Sequence, residues 1–576
     1  MKLFNIKNAL VACSLLLIAP LTSCEDLLET DSKFVMYESD NTLGDPTDSV
    51  YSVLGIISQM QKIADRTVLL GEVRADLVTT TAAANADLKR LSAWDFSLDN
   101  KYNSVSDYYS VINHCNYFLH HVDTTLTRRG YKIFQAEYAA VKTFRAWTYL
   151  ELAKNYGSVP LVLEPLMTEI AAREAMNDKS KYADMRQICE YFINDLTPYA
   201  HRIVPNWGSI YGFNSKQFFI PMRVLLGDLC LWTGRYEEAA KWYHDYLTDR
   251  DSPIRLAKSS ITWTNPTQFS SPNDSYVINS TEEMVSFIPM EQLAFHGVIT
   301  ELGDIFESTS DNYNYYQLTP SSGMRRLSSE QIYCMEYKTD TRIDTIYVPR
   351  TGLKENLYVG DLRLSSNYHH TNYGSQNEYS EYSNDYQYMY KCPWIMDLVP
   401  TVRATMVYLR YAEALNRAGY PQSAMVILKH GICHENLVNY VDSVELNAAG
   451  ALIEFDKNVF LREDALGIHS RGSGDSHCNE YYVLPMPTDS LATRQDTIDY
   501  QIPLVEDMII DEMALEGSFE GYRLYDLMRV AMRRANLGEV GAEAYLADPV
   551  SLRDGEVNEE LRTKLMNQQN WYLPLP

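Results

Sequence analysis

Residues 222 to 247 carry the period that most limits how this chain can fold. Met222, Leu225, Leu229 and Trp232 recur at three- and four-residue spacing; Thr233-Gly234-Arg235 interrupts them, and Tyr236, Ala239, Ala240, Tyr243 and Leu247 resume the pattern. Such spacing gathers apolar side chains on one stripe of a helix, and a stripe needs a partner to cover it. The short turn makes each helix the nearest cover for the other. Glycine relieves strain where the chain reverses, and small alanines let the two backbones approach. The spacing predicts a helical hairpin.

The same logic recurs upstream. Val105, Tyr108, Ile112, Cys115 and Leu119 predict one helix. After a polar loop ending at Gly130, a second runs from Tyr131 to Tyr156 on the stripe Ala139, Thr143, Ala146, Trp147 and Leu150, stopped by Gly157 and Pro160. The Gly-x-Tyr-x-x-Ala-Ala pattern from Gly234 resembles a tetratricopeptide helix pair, and Tyr411 to Leu428, turning at Ala418-Gly419-Tyr420 with Ala424 behind, is a weaker echo. These units lie too far apart for a tandem array, so their helices must meet across long insertions. A single C-terminal helix is expected over Val505 to Ala535, with Glu520 and Arg523 one turn apart and acids preceding bases. Residues 251–400, rich in Ser, Asn, Asp, Pro and Tyr, show little helical period, and 434–500 read as a second such insertion. Stretches of that length are not structureless inside a compact protein, and irregular surface segments are where function sits. The expected fold class is mainly α: tetratricopeptide-like helix pairs form a superhelical scaffold, with large irregular loop-rich insertions carrying the ligand face.

Charge narrows the partners. The 576 residues carry a formal net charge of −26, which repels phosphate backbones and argues against nucleic acid. It also disfavours docking on anionic lipid through a basic patch. Tyrosine stands out at 43 residues against 17 Phe and 8 Trp, and its flat face with a hydroxyl handle suits wet interfaces as well as helical cores.

The N-terminus supplies an address. Lys2 and Lys7 precede an apolar run from Ala9 to Ala19 and then Leu21-Thr22-Ser23-Cys24, an export signal too short to span a bilayer. The last four residues resemble a bacterial lipobox, in which Cys24 would be acylated. Glu25 and Asp26 resemble the signal that sends lipoproteins of glycan-foraging Gram-negative bacteria to the outer leaflet. The expectation is an outer-membrane, lipid-anchored protein facing the cell exterior: residues 1–23 as signal peptide, 24–45 as acylated cysteine and acidic tether, then an N-terminal helical region at 46–250 and a region at 251–576 that holds the irregular insertions and the C-terminal helix. Beyond Cys13 and Cys24 the seven cysteines are scattered and odd in number, with Cys433–Cys478 one possible bridge.

Taken in order, several segments resemble the SusD/RagB family of surface nutrient-binding lipoproteins. They are Phe144-Arg-Ala-Trp-Thr-Tyr-Leu-Glu-Leu-Ala-Lys-Asn-Tyr-Gly-Ser-Val-Pro160, Leu229 to Tyr243, Leu409-Arg-Tyr-Ala-Glu-Ala-Leu415, Leu515 to Leu527, and the terminal Trp571-Tyr-Leu-Pro-Leu-Pro576. The resemblance implies tetratricopeptide-like helix pairs and a loop-rich ligand face. It also implies glycan binding without catalysis, and a SusC-like TonB-dependent transporter as partner, with the lipoprotein as its lid. Residues 251–400 and 434–500 follow no pattern of that family, so the ligand is not named by it. A peptide-binding lid, or a tetratricopeptide-type scaffold with no small ligand, are the alternatives.

Sugar recognition needs aromatic faces against C–H surfaces and planar polar groups for hydroxyls. The candidates are Trp94 with Arg90 and Asn100 in an early loop, and Trp263, Tyr276, Tyr313, Tyr315 and Tyr316 in the irregular lobe. Trp94 could equally pack beneath its loop. The matched residues Arg145, Glu413, Glu520, Arg523 and Asp526 are read as structural pairs and caps. His430, Cys433, His434, His469, His477 and Cys478 lack the tight spacing of a zinc site, and calcium, for which loop carboxylates of so acidic a chain are an open alternative, has no EF-hand loop here, so no metal site and no cofactor are assigned. Nucleophile elbow, His-Glu-x-x-His, phosphate loop and dinucleotide turn are all missing from the sequence, and the chain is read as a binder, not an enzyme.

Overall fold

The computed structural model describes residues 46–256 except 211, 283–291, 297–306, 317–331, 398–473, and 482–575 except 490, with positions 341, 361 and 363–364. It also describes the strand backbones of Thr262–Asn265, Gln268–Ser270, Tyr333–Lys338, Ile343–Val348, Tyr368–His370, Tyr386–Met389 and Cys478–Asn479. The helices that build the frame are α1 (Pro46–Glu72), α2 (Ala86–Ser92), α3 (Val105–His121), α4 (Gln135–Tyr156), α5 (Met185–Leu196), α6 (Met222–Thr233), α7 (Tyr236–Leu247), α8 (Ala404–Arg417), α9 (Arg494–Gly517) and α10 (Arg523–Asn536). From α3 to α9 each packs on the next in this order, and α1 packs on α3. The two helix pairs that lie far apart in sequence are therefore neighbours in space, joined where α7 meets α8. The mainly α, stacked-pair architecture is as expected.

The hairpin at 222–247 forms as its period requires. Leu225, Leu229, Ala239, Ala240 and Tyr243 are buried, and Gly234 turns at φ 76° in the left-handed region. The fit is close: a side chain on Gly227 would meet the Tyr243 ring at 2.5 Å. At the end of α4, Gly157 (φ 72°) lies under the ring of Tyr572, and Asn155 O accepts from Leu573 N at 2.8 Å. The terminal Trp-Tyr-Leu-Pro stretch is thus a strap across the α4 C-terminus. Among the described residues no helix is long and apolar enough to cross a membrane.

Two readings need correction. The expected single helix over Val505 to Ala535 is two helices, α9 and α10, broken at 518–522, where Phe519 (φ 69°) and Gly521 (φ 90°) are left-handed. The break lets the chain pass against α1 with backbone touching backbone, for a Cβ on Gly521 would lie 2.0 Å from Thr67 O. The second concerns Cys433, which is a buried free thiol accepting from Asn436 N at 3.3 Å, so the Cys433–Cys478 bridge is not formed.

The irregular segments add short strands, all antiparallel: β1 (Val78–Thr80) with β3 (Leu318–Pro320), β2 (Met284–Pro289) with β6 (Leu398–Arg403), and β4 (Tyr333–Lys338) with both β5 (Ile343–Val348) and β7 (Cys478–Asn479). What clasps them to the helices is a fully buried ion network. Arg363 donates to Asp361 (2.6 Å), Glu512 (2.6 Å) and Glu516 (2.9 Å). Arg403 donates to Glu283 (2.6 Å), Glu516 (2.7 Å) and Glu520 (2.9 Å). His469 Nδ1 lies 2.6 Å from Glu512.

The network makes stability depend on acid. Burial alone would push the Glu512 carboxyl up, but Arg363 and His469 outweigh it and hold the group at about 2, below its ordinary 4.5. A depressed carboxylate contributes stability above its unfolded pKa, and that contribution is lost as pH falls from 4.5 towards 2. The expected loss is about 3 kcal/mol over that window. Urea midpoints across the acid range should fall steeply, and Glu512→Gln should flatten that slope.

Candidate ligand-binding face

The early loop predicted to hold ligand is built on α2. Asn85 caps that helix by accepting from Leu88 N at 2.9 Å, while its own N–H donates to Gln317 Oε1 at 2.9 Å. This one residue ties the helix start to the irregular lobe. The following turn is fixed from inside: Asn100 Nδ2 donates to Asp87 O at 2.9 Å, its Oδ1 accepts from Tyr102 N at 3.0 Å, and Arg90 binds Asp87 and donates to Asp99 O at 3.0 Å. Arg90 and Asn100 keep partial exposure at the surface.

Trp94 takes the packing alternative. Its ring is 0% exposed, its indole N–H donates to Arg74 O at 3.1 Å, and the Arg74 guanidinium stands 5.6 Å from the ring. With φ 55° it sits in the left-handed region, so the turn is strained to put the ring inward. Trp94 is the floor pillar of the loop, out of a ligand's reach. Trp94→Phe is expected to lower unfolding stability by about 1–3 kcal/mol, because a buried carbonyl loses this donor; urea denaturation reads it.

Sequence reasoning missed the residues that join this loop to the lobe. Lys101 donates to Glu301 at 2.6 Å and Tyr102 OH to the same carboxylate at 3.3 Å. Glu301 is in turn placed by Asp65 of α1, which accepts from Thr300 Oγ1 at 2.7 Å and Glu301 N at 2.8 Å. Burial pushes the Asp65 carboxyl up to about 6, against the lowering effect of those two bonds. Lys101 and Tyr102 adjoin the predicted Asn100 and could have been read as part of the patch. Glu301 and Asp65 carry no such signal, because their roles depend on pairings hundreds of residues apart.

The residues on either side of segment 307–316 are held to the scaffold. Gln317 N donates to Ile305 O at 2.9 Å and Thr81 N donates to Gln317 O at 2.9 Å, so both ends of segment 307–316 are held together beside Asn85. Tyr313, Tyr315 and Tyr316 belong to that segment and, like Tyr276 of an earlier stretch, lie outside the described residues. Trp263 lies on the backbone-described strand Thr262–Asn265, opposite Phe269. The structure therefore gathers Arg90, Asn100, Lys101, Glu301 and the roots of the tyrosine segment on one face. It leaves Trp94 beneath.

Other candidate places are occupied by structure. The matched charges are paired: Arg145 with Asp195 (3.2 Å), Arg523 with Asp76 (2.8 Å), and Arg529 with both Glu413 (2.6 Å) and Asp526 (2.9 Å). Glu520 and Arg523 do not pair with each other, because the helix break separates them. A cleft of about 50 Å³ opens between α4, α6, α8 and α10 near Trp147, Trp232 and Tyr522. It has room for about three to five waters, and its charges are mutually paired, Arg410 with Asp228 at 2.9 Å and Lys154 with Glu151 at 2.5 Å. In the loose His/Cys collection, His430 stacks on Tyr440 at 3.6 Å and His469 serves Glu512; no group that could hold a metal occurs among the described residues.

No protein-family model and no curated protein matches this sequence. Solved structures do match it along nearly its whole length. A SusD homolog from Bacteroides thetaiotaomicron shares a TM-score of 0.52 at 16% identity, over 93% of this chain and 95% of its own. A SusD superfamily protein from Bacteroides vulgatus gives 0.52 at 13% identity, covering 92% of this chain and 96% of that one. A SusD-like carbohydrate binding protein from Bacteroides fragilis gives 0.51 at 16% identity, covering 85% and 87%. At these identities the likeness is one of fold, and the chain has the fold that the SusD proteins share.

Proposed function

We propose that this chain, a SusD-type fold from its first described helix to its terminal strap, is a non-catalytic glycan-binding lipoprotein of the outer membrane. It hands its ligand to a SusC-like TonB-dependent transporter. The observation that carries the reading is the joined face: planar polar groups at Arg90 and Asn100, a lysine–carboxylate pair at Lys101–Glu301, and a tyrosine-rich segment rooted between them. Aromatic rings with a few placed polar groups are what hydroxyl-rich, uncharged ligands need. Solved proteins of this fold include one described as carbohydrate binding, which supports the same ligand class.

Calorimetry of the purified chain against neutral and acidic glycans, with oligopeptides alongside, tests the ligand. Saturable binding to a glycan is expected. Silence to every glycan together with binding of peptides would replace the reading by that of a peptide-binding lid. The anchor is tested separately: acyl chains on Cys24 hold the protein through about 0.8 kcal/mol per buried CH₂, so Cys24→Ala should move it from the membrane to the soluble fraction. Retention in the membrane would sink the anchor.

A further inference from the structure

Four of the chain's cysteines, Cys115, Cys189, Cys230 and Cys433, are buried free thiols. Burial pushes Cys115 and Cys230 up to about 12 and raises Cys189 and Cys433 as well, so these stay protonated and unreactive. Apart from Cys13 and Cys24 near the N-terminus, this leaves Cys334, Cys392 and Cys478, of which Cys392 lies outside the described residues. The other two meet in register. In the antiparallel ladder of β4 with β7, Tyr333 faces Asn479 and Cys334 faces Cys478.

Directly opposed residues of an antiparallel pair project to the same side of the sheet, with Cα atoms about 4.5–5.5 Å apart. A disulfide needs Cα atoms about 4.4–6.8 Å apart. The register alone thus satisfies the backbone requirement, although the two cysteines are remote in sequence. We propose that Cys334 and Cys478 form a cross-strand disulfide that staples β7 to the β4–β5 hairpin. The staple sits a few residues from Ile468–Ser473, the turn that brings His469 to Glu512 and Arg471 to Glu283 (3.6 Å). It therefore adds a covalent tie to the ionic clasp between the irregular lobe and the helices.

The chemistry is thiol–disulfide exchange. One cysteine thiolate attacks a donor disulfide, forming a mixed disulfide and expelling one donor thiolate; the second cysteine then attacks its neighbour's sulfur and expels the other. The chain loses two protons and two electrons, and the donor disulfide becomes a dithiol. The donor is a protein disulfide oxidant of an oxidising compartment, and in this respect alone the inference rests on the proposed export.

The test has two arms. Protein taken from cells is alkylated at once and digested without reductant, and purified native protein is incubated with oxidised glutathione before the same treatment. A crosslinked peptide pair holding Cys334 and Cys478, lost on reduction, is expected in both arms, with Cys115, Cys189, Cys230 and Cys433 alkylated only after denaturation. Cys478→Ser should leave Cys334 alkylated as a free thiol. The pairing is overturned if glutathione yields no such pair, or if either cysteine is found joined to Cys392. A bridge formed in vitro but absent from cellular protein supports the pairing and overturns the oxidising location instead.

Discussion

Arg403→Met is expected to destabilise the protein by about 3–5 kcal/mol, because it strips the cation from a buried site and leaves its carboxylates behind. Arg403 is 0% exposed and donates to Glu283, Glu516, Glu520 and the Glu516 carbonyl at 2.9 Å. Methionine matches much of the volume, so the loss is electrostatic and not a cavity. Arg363 still reaches Glu516 at 2.9 Å and Arg471 stands 3.6 Å from Glu283, but the buried acids then outnumber the cations left to them, and whether they stay charged or take up protons the folded state loses advantage. Urea unfolding of the variant measures the cost, and the double variant with Glu516→Gln should recover part of it, since the two residues share one network. A loss below about 1 kcal/mol would mean that the network does not clasp the lobe to the helices.

The helical frame was legible because its information is local. Met222 to Leu247 states its own period, its own turn and its own small contact residues, and the helices found there run Met222–Thr233 and Tyr236–Leu247. The C-terminal stretch shows the opposite. Its apolar period continues through residues 518–522, so periodicity alone joins α9 to α10. What breaks the helix is contact with α1, nearly the whole chain away, where Gly71 and Gly521 leave room for backbone: a Cβ on Gly71 would fall 1.9 Å from Gly521 O. For the same reason Glu520 and Arg523 looked like partners at one turn's spacing, while their true partners, Arg403 and Asp76, come from remote segments.

The candidate face was legible by residue type and not by depth. Arg90 and Asn100 were found because planar polar groups near an aromatic are a pattern, and they do reach the surface. Trp94 belonged to the same pattern, but its left-handed backbone and the acceptor at Arg74 turn it inward, and neither is written in the neighbouring residues. The second insertion, 434–500, hides helices of another kind. His434–Tyr440 and Ser443–Ala449 span only seven residues each, too short to declare a 3.6-residue period, and they start at caps, Cys433 and Asp442, that sequence offers only as single residues.

The joint replacement Tyr313→Ala, Tyr315→Ala and Tyr316→Ala is expected to weaken glycan binding at least about tenfold, since each ring against a ligand face contributes about 0.5–1.5 kcal/mol. The reason to place these rings at the ligand is the root of their segment. Phe306 is buried and Gln317 is bonded to Ile305, Thr81 and Asn85, so both ends of the ten-residue segment between them are anchored on the face that holds Arg90, Asn100 and Lys101. Since both roots are tied to the frame independently of those side chains, the variant should keep the unfolding midpoint of the parent while losing affinity. A merely structural role predicts the reverse, with stability falling and any remaining binding unchanged. Calorimetry with the best glycan of the panel, run beside urea unfolding of the same preparation, separates the two outcomes. Affinity within about twofold of the parent would remove the tyrosine segment from the site. Arg90, Asn100 and the Lys101–Glu301 pair would then have to hold the sugar without an aromatic floor, which so few polar groups in contact with water cannot do tightly.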